Sequence, residues 1–209
     1  MLRELIRHHE VTYLTLDDGS AAPDAAERAT EYCQVLARIP FRTTPKHSPR
    51  LYGDLLLNVW SRLPYAVAKY ASAAMQQRVV ALAQPEQHDI LVCDFLFPSQ
   101  NVPPGLPIPT VLFQHNVEAA IWRRHADVAS HPLRRAYFAE QWRRMCRFER
   151  QECHRFDHVI AVSDQDRDAI QGAYGVEAVS AVATGVDVTF FAPGGAPLGI
   201  QRHRDLCRT

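Results

Sequence analysis

The sequence lacks any apolar run close to the roughly 18 residues that a membrane-spanning helix needs. Its first residues, MLRELIRHHEV, carry charged and histidine side chains where a secretory signal requires an apolar segment. Neither a transmembrane helix nor a signal peptide is therefore predicted, and we expect a cytoplasmic protein.

Cysteine is sparse, and its spacing fits neither a disulfide framework nor a zinc site. The five cysteines are odd in number and scattered, with no CxxC pair among them. We expect reduced thiols that are mostly buried. They are Cys33, Cys93, Cys146, Cys153 and Cys207.

An excess of charge of one sign is also absent. Lys and Arg total 23, as do Asp and Glu, so the formal net charge is zero and the overall electrostatics give no reason to expect a nucleic-acid partner. Hydrophobic residues make up 47% of the chain, which excludes disorder as its general state.

Short apolar runs alternate with helical patterns along the chain. Strands are predicted at residues 11–16, 35–41, 89–95, 110–113, 159–162 and 176–182, with the second weakened by Pro40. Helices are predicted within residues 48–84, where Pro64 separates two of them, and over residues 131–156 and 164–174, whereas residues 98–109 read as a loop.

This alternation predicts the α/β class, with a Rossmann-like, doubly wound and mostly parallel sheet. We expect one domain over residues 1–192. The remaining residues, 193–209, are rich in Gly, Pro and charge without periodicity, which predicts a disordered or vestigial tail.

Ligands of open α/β sheets bind beyond the carboxyl ends of the strands, and this rule selects the candidate site residues. Those at or after the carboxyl ends of the predicted strands are Asp94, His115, Asn116, Glu118, Ser163, Gly185 and Asp187. Two interpretations of the QHNVE segment remain open. Either Asn116 caps the next helix while Glu118 complements its dipole, or His115 points into the cleft and binds a ligand.

Three segments, TVLFQHNVEAAIW, FERQECHRFDHVIAVSDQDRDAI and VATGVDVTFFAP, occur in an order and at a spacing that resemble the N-terminal domain of family 4 glycosyltransferases. The first residues, LRELIRHHEVTYLTLDD, are similar to the start of that domain. The resemblance extends over about residues 1–193 and implies the acceptor-side, Rossmann-like half of a GT-B fold.

The resemblance also implies an activity, which is the transfer of a sugar from a nucleotide-sugar donor to a saccharide or lipid-linked acceptor, with retained anomeric configuration. No tightly bound cofactor and no metal on protein carboxylates would be needed. His115 is the implied catalytic residue, in contact with a donor-sugar hydroxyl. Asn116, Glu118, Ser163, Gly185 and Asp187 would shape the cleft, and Asp94 would lie on the acceptor side.

The sequence also departs from the family pattern. In such enzymes a first strand with a glycine-rich loop precedes the position of Met1, Pro-Asn stands where this chain has Ala183 and Thr184, and a second Rossmann domain follows. We therefore expect a chain that lacks the first strand and the second domain and is inactive alone. The alternatives are a non-catalytic remnant or sugar-binding module and, fitting less well, a nucleotide-sugar epimerase.

Residues 123–155 carry nine arginines against four acidic residues. A solvated helix face is the simpler interpretation. The alternative is peripheral docking to anionic lipid headgroups or to a lipid-linked acceptor at the inner membrane face. Packing is favoured over sugar stacking for Trp60, Trp122 and Trp142, and over metal binding for Cys146 and Cys153.

Overall fold

The computed structural model describes residues 2–42, 44–45, 48–183 and 185 of the 209-residue chain. Its strands are β1 Thr12–Asp17, β2 Val35–Pro40, β3 Leu91–Asp94, β4 Thr110–Gln114, β5 His158–Ala161 and β6 Val179–Ala181. Its helices are α1 Leu2–Leu5, α2 Ala25–Ala29, α3 Pro49–Asn58, α4 Tyr65–Ala68, α5 Ala73–Leu82, α6 Glu118–Val128, α7 Pro132–Arg155 and α8 Asp164–Tyr174, with a 3₁₀ helix at Phe97–Asn101.

All the strand pairs are parallel, and they form two sheets. One contains β1 and β2, and the other has the order β3-β4-β5-β6. Helices connect successive strands, as parallel pairing requires. The α/β class and the Rossmann-like parallel arrangement are therefore confirmed.

Pro40 does not prevent strand formation, because it ends β2 at a position where its missing N–H is not needed. Asp17 lies opposite Pro40, and the carbonyl oxygen of Asp17 accepts a hydrogen bond from the next residue, Phe41, at 2.7 Å. The proline thus satisfies the rule that confines this residue to strand ends and edges.

The helical region between β2 and β3 matches the prediction. Ser48 and Ser72 accept hydrogen bonds from the first turns of α3 and α5, and Pro64 precedes α4. The loop expected at residues 98–109 is wrong in its first part, where the 3₁₀ helix extends to Asn101. The Asn101 side chain accepts from Ser72 N and donates to Tyr70 O, both at 2.8 Å, which fixes this turn against the helical region.

The core lies around β4 and β5, where Leu112 and Val159 are fully buried. Leu112 and Val159 pack in one cluster with Met145 of α7 and Ile170 of α8. Ser163 caps the start of α8 by accepting from Asp166 N at 3.1 Å, and Gly175 follows the helix in the left-handed conformation, so both predicted helix ends are confirmed. The tail predicted at residues 193–209 lies outside the described residues.

The solvated-face interpretation of α7 is wrong for three of its charged residues. Arg144, Glu149 and Glu152 are buried, whereas Arg143 and Arg147 are exposed. The Arg144 guanidinium donates to the carbonyl oxygens of Asn58 at 2.6 Å and Val59 at 2.9 Å, and to Glu140 at 2.8 Å. This arginine therefore holds the end of α3 against α7.

The packing interpretation holds for Trp122 and Trp142, which lie against the core, and fails for Trp60, which is 83% exposed. In the described part of the chain the cysteines are free thiols, with Cys146 half-buried and the others buried, while Cys207 lies outside it. No helix there is long and apolar enough to cross a membrane.

Candidate functional site

Two of the predicted site residues meet at the carboxyl ends of β3 and β4. Asp94 is the last residue of β3, and His115 directly follows β4, so the parallel register places them side by side. The Nε2 atom of His115 lies 2.6 Å from Oδ1 of Asp94. The side chains are 30% and 47% exposed, respectively, so the pair is accessible from solvent.

Aromatic rings fix the orientation of the His115 imidazole. The ring of Phe95 stacks on it with centroids 4.0 Å apart and planes 11° apart, and Phe113 contacts it edge-on at 4.7 Å. Phe95 adopts a φ of 75°, which is a strained conformation for a residue with a side chain. Because of this conformation the chain bends immediately after β3, and the bend places the Phe95 ring against the His115 ring.

The hydrogen bond to Asp94 defines what His115 offers to a ligand. When the Asp94 carboxylate is ionised, it accepts a hydrogen bond from Nε2–H, and Nδ1 of a neutral imidazole then carries the lone pair. A hydroxyl group can donate to that nitrogen. An oriented acceptor next to an aromatic face is a combination that suits a sugar ring.

The capping interpretation of Asn116 is wrong. α6 begins at Glu118 with Val117 in the capping position, and no side chain of the QHNVE segment caps it. The acceptor is instead Glu149 of α7, whose carboxylate accepts from the main-chain nitrogens of Glu118 at 2.8 Å and Ala119 at 3.0 Å. Asn116 itself is exposed next to His115.

Glu118 is buried close to a second carboxyl group, and its pKa is shifted. Its burial, followed by the nearby charge of Glu149, raises its pKa from about 4.5 to about 7. Burial likewise raises the pKa of Glu149, which also accepts from the Tyr174 hydroxyl at 2.7 Å. Glu118, which was predicted to shape the cleft, is only 9% exposed. It lines a cavity together with Asp94 and Phe95.

Of the other predicted site residues that the structure describes, neither Ser163 nor Gly185 hydrogen-bonds to His115. Ser163 follows β5 on the same edge of the sheet, but its hydroxyl is engaged in the first turn of α8, where it donates to Asp166 Oδ2 at 2.6 Å. Gly185 is exposed, and a Cβ atom there would meet nothing within 4 Å. Asp187 lies outside the described residues.

Sequence reasoning missed Phe95 and Glu149. For Phe95 no signal was available, since a left-handed conformation is not expected of phenylalanine. For Glu149 a signal existed, because it lies four residues after Met145 on the apolar stripe of α7. In the described ranges, no group of three or more His, Cys, Asp or Glu side chains could hold a metal ion.

Comparison with known proteins connects this chain to a family. The sequence model described as Glycosyltransferase Family 4 matches residues 1–190, which include all the described elements. A search of curated proteins gives no match.

Proposed function

Since the chain belongs to glycosyltransferase family 4, we propose that it supplies the acceptor side of a retaining transferase, which moves a sugar from a nucleotide-sugar donor to a saccharide or lipid-linked acceptor. The observation that carries this proposal is the Asp94–His115 pair, which stacks on Phe95 at the carboxyl edge of the sheet. This edge is where open α/β sheets bind their ligands.

In this reaction the bond between the sugar's anomeric carbon and the nucleotide phosphate breaks, and the acceptor oxygen bonds to the same face of that carbon. The acceptor's proton leaves with the phosphate. His115 accepts a hydrogen bond from a hydroxyl of the donor sugar at Nδ1, while Asp94 holds the imidazole at Nε2. The bond accelerates transfer to the extent that it is stronger in the transition state than in the ground state.

A lipid-linked acceptor is favoured by a surface beside α7. The end of α3 exposes Leu56, Leu57, Val59 and Trp60, and the Arg144 hydrogen bonds place this end against the arginine-rich helix. Exposed apolar side chains beside arginines are typical of surfaces that lie on anionic membranes. We therefore propose peripheral membrane contact through this surface.

Sugar binding is tested with the chain as it stands, by recording histidine ring signals in NMR spectra during titration with a panel of nucleotide sugars and methyl glycosides. Binding at the proposed site shifts the His115 signals and leaves those of His158 unchanged. His158 is a matched reporter, since it is also half-buried and hydrogen-bonded, to Ser180 at 2.9 Å, but starts β5 at the opposite edge of the sheet. Equal shifts, or none with any sugar, would contradict the proposal.

Membrane contact is tested by sedimentation with vesicles of phosphatidylglycerol and phosphatidylcholine, compared with phosphatidylcholine alone. We expect binding to the anionic vesicles only, and a clear loss of binding for Trp60→Ala. Val182→Ala is the matched control, because Val182 is exposed on a different part of the surface, after β6. Equal binding of the two variants would refute the assigned surface.

A further inference from the structure

Gln114 ties the turn between β4 and α6 to α7. It is the last residue of β4, directly before His115, and only 1% of its surface is exposed. One end of its amide group lies 2.9 Å from Oε1 of Glu149 and 2.9 Å from the carbonyl oxygen of Asn116. Both of these atoms are acceptors, so the amide nitrogen occupies this end and donates to both.

The thiol of Cys153 fits the same orientation of the amide. Its Sγ atom lies 2.9 Å from the other end of the Gln114 amide group. Burial, followed by the charge of Glu149, raises the pKa of this thiol to about 12, so the sulfur keeps its proton near neutral pH. The S–H group therefore donates to the amide oxygen. The Gln114 side chain is thus held at both ends by α7.

Glu149 accepts four hydrogen bonds, two on each oxygen of its carboxylate. The donors are the Gln114 amide at 2.9 Å, the main-chain nitrogens of Glu118 at 2.8 Å and Ala119 at 3.0 Å, and the Tyr174 hydroxyl at 2.7 Å. An ionised carboxylate has about four acceptor positions, and here all of them are used. Three of the four donors belong to residues 114–119, so this carboxylate holds the chain on both sides of His115.

A fully buried carboxylate is an energetically costly cap for a helix. Glu149 is 0% exposed, and in the part of the chain that the structure describes it forms no ion pair. A buried charge loses its hydration, and apolar residues of similar size often stabilise a fold equally well. A nearby side chain such as Asn116 could cap α6 without burying a charge, but it would not connect the turn to α7. The arrangement thus serves to fix the turn against α7.

We propose that Gln114 and Glu149 are positioning residues for His115. They fix the main chain on both sides of it, so that Nδ1 of the imidazole keeps one position in the cleft, while Asp94 and Phe95 set the orientation of the ring. This role rests on the proposed function, in which His115 contacts the donor sugar. It matters there because a displacement of about 1 Å in a catalytic site can lower the rate by about 100-fold.

The test is nitrogen-15 NMR of the histidine rings in the full chain at about pH 8, where an imidazole is ordinarily neutral. Gln114→Met removes the two donated hydrogen bonds and keeps the length of the side chain. The matched control is Gln141→Met, because Gln141 of α7 also has a buried amide and is 3% exposed. Its amide accepts from Tyr65 N at 3.0 Å, at the start of α4 and not at the turn.

We expect the wild type and Gln141→Met to show one form of His115, with the proton on Nε2 facing Asp94. In Gln114→Met the turn can move and the bond to Asp94 weakens, so the population of the other tautomer should rise at least about 5-fold, the factor of one lost hydrogen bond. Any sugar that shifts the wild-type His115 signals should bind Gln114→Met at least about 5-fold more weakly and Gln141→Met equally well. If no sugar binds, the proposed function fails, whereas the tautomer comparison still decides on the positioning role.

Two further measurements do not depend on whether Gln114→Met folds. In the wild type, the side-chain amide protons of Gln114 should exchange with solvent at least about 100-fold more slowly than those of Gln151, which is exposed on α7. Glu149→Gln keeps the size of the side chain but replaces an accepting oxygen by an NH₂ group that faces donors. It should therefore change the His115 tautomers as Gln114→Met does.

Three results would overturn the proposal. One is a Gln114 side-chain amide that exchanges as fast as that of Gln151. Another is a lowered melting temperature with unchanged His115 signals in Gln114→Met or Glu149→Gln, which would make this network a stabiliser of the fold only. The third is an equal change of the His115 signals in Gln141→Met, which would show a general loosening of the chain.

Discussion

Replacing Glu118 by glutamine removes a carboxyl group that titrates near neutral pH in the folded protein. Burial and the charge of Glu149 raise the pKa of Glu118 from about 4.5 to about 7. Because each pKa unit corresponds to about 1.4 kcal/mol, the ionised form destabilises the fold by about 3 kcal/mol relative to the neutral form.

The sign of the effect follows from where the proton is bound. Between about pH 4.5 and about pH 7 the folded protein keeps the Glu118 proton while the unfolded chain releases it. The contribution of Glu118 to stability is therefore complete below about pH 4.5 and is lost as the pH rises to about 7. Glu118→Gln should not show this loss, and near pH 8 it should be more stable than the wild type by up to about 3 kcal/mol.

The assay is urea denaturation at several pH values from about 5 to about 8, followed by circular dichroism. The matched control is Glu140→Gln, because the hydrogen bond from Arg144 lowers the pKa of Glu140, so this residue changes charge below the tested range. The control should keep the wild-type loss of stability. An unchanged pH dependence in Glu118→Gln would refute the assignment of the neutral carboxyl to Glu118.

Two pairs of substitutions test the buried polar groups of α7. Glu149→Ala should lower the free energy of unfolding by about 3 kcal/mol or more, because two main-chain nitrogens and the Tyr174 hydroxyl lose their acceptor. Tyr174→Phe removes only one of these hydrogen bonds and should lower the free energy of unfolding by about 1 kcal/mol in the same urea assay. Arg144→Ala should cost about 3 kcal/mol, since it removes a charged donor from the carbonyl oxygens of Asn58 and Val59 and leaves Glu140 without this buried partner. The exposed Arg147→Ala should cost less than about 0.5 kcal/mol. Equal losses for the two arginine variants would contradict the role given to Arg144.

The order of the six strands and the positions of the longer helices could be predicted from the sequence, because buried parallel strands are short apolar runs and helix ends carry recognisable residues. The short α2 and the 3₁₀ helix were not predicted. Ser163 and Gly175, which bound α8, are an example. The division into two sheets could not be predicted from these patterns, since strand pairing depends on contacts between residues far apart in the sequence.

The sequence was enough to predict where the candidate site lies, but only some of the residues that form it. The rule on strand ends selected both Asp94 and His115, and the register of β3 against β4 brings them together. The cap on α6 escaped prediction, because a buried glutamate on a helix with many charged residues has the same local pattern as an exposed one. Only the spacing of Glu149 from Met145 and Cys153 shows that it lies on the buried face.

The proposal that His115 contacts the transferred sugar is tested most directly by turnover, measured with this chain joined to the nucleotide-holding domain of a family member. His115→Ala should lower kcat by about 100-fold or more, with nearly unchanged nucleotide affinity and melting temperature. His158→Ala, at the opposite edge of the sheet, should keep kcat near the wild-type value. A His115→Ala enzyme with near-normal turnover and reduced stability would contradict the proposal and make His115 a packing residue.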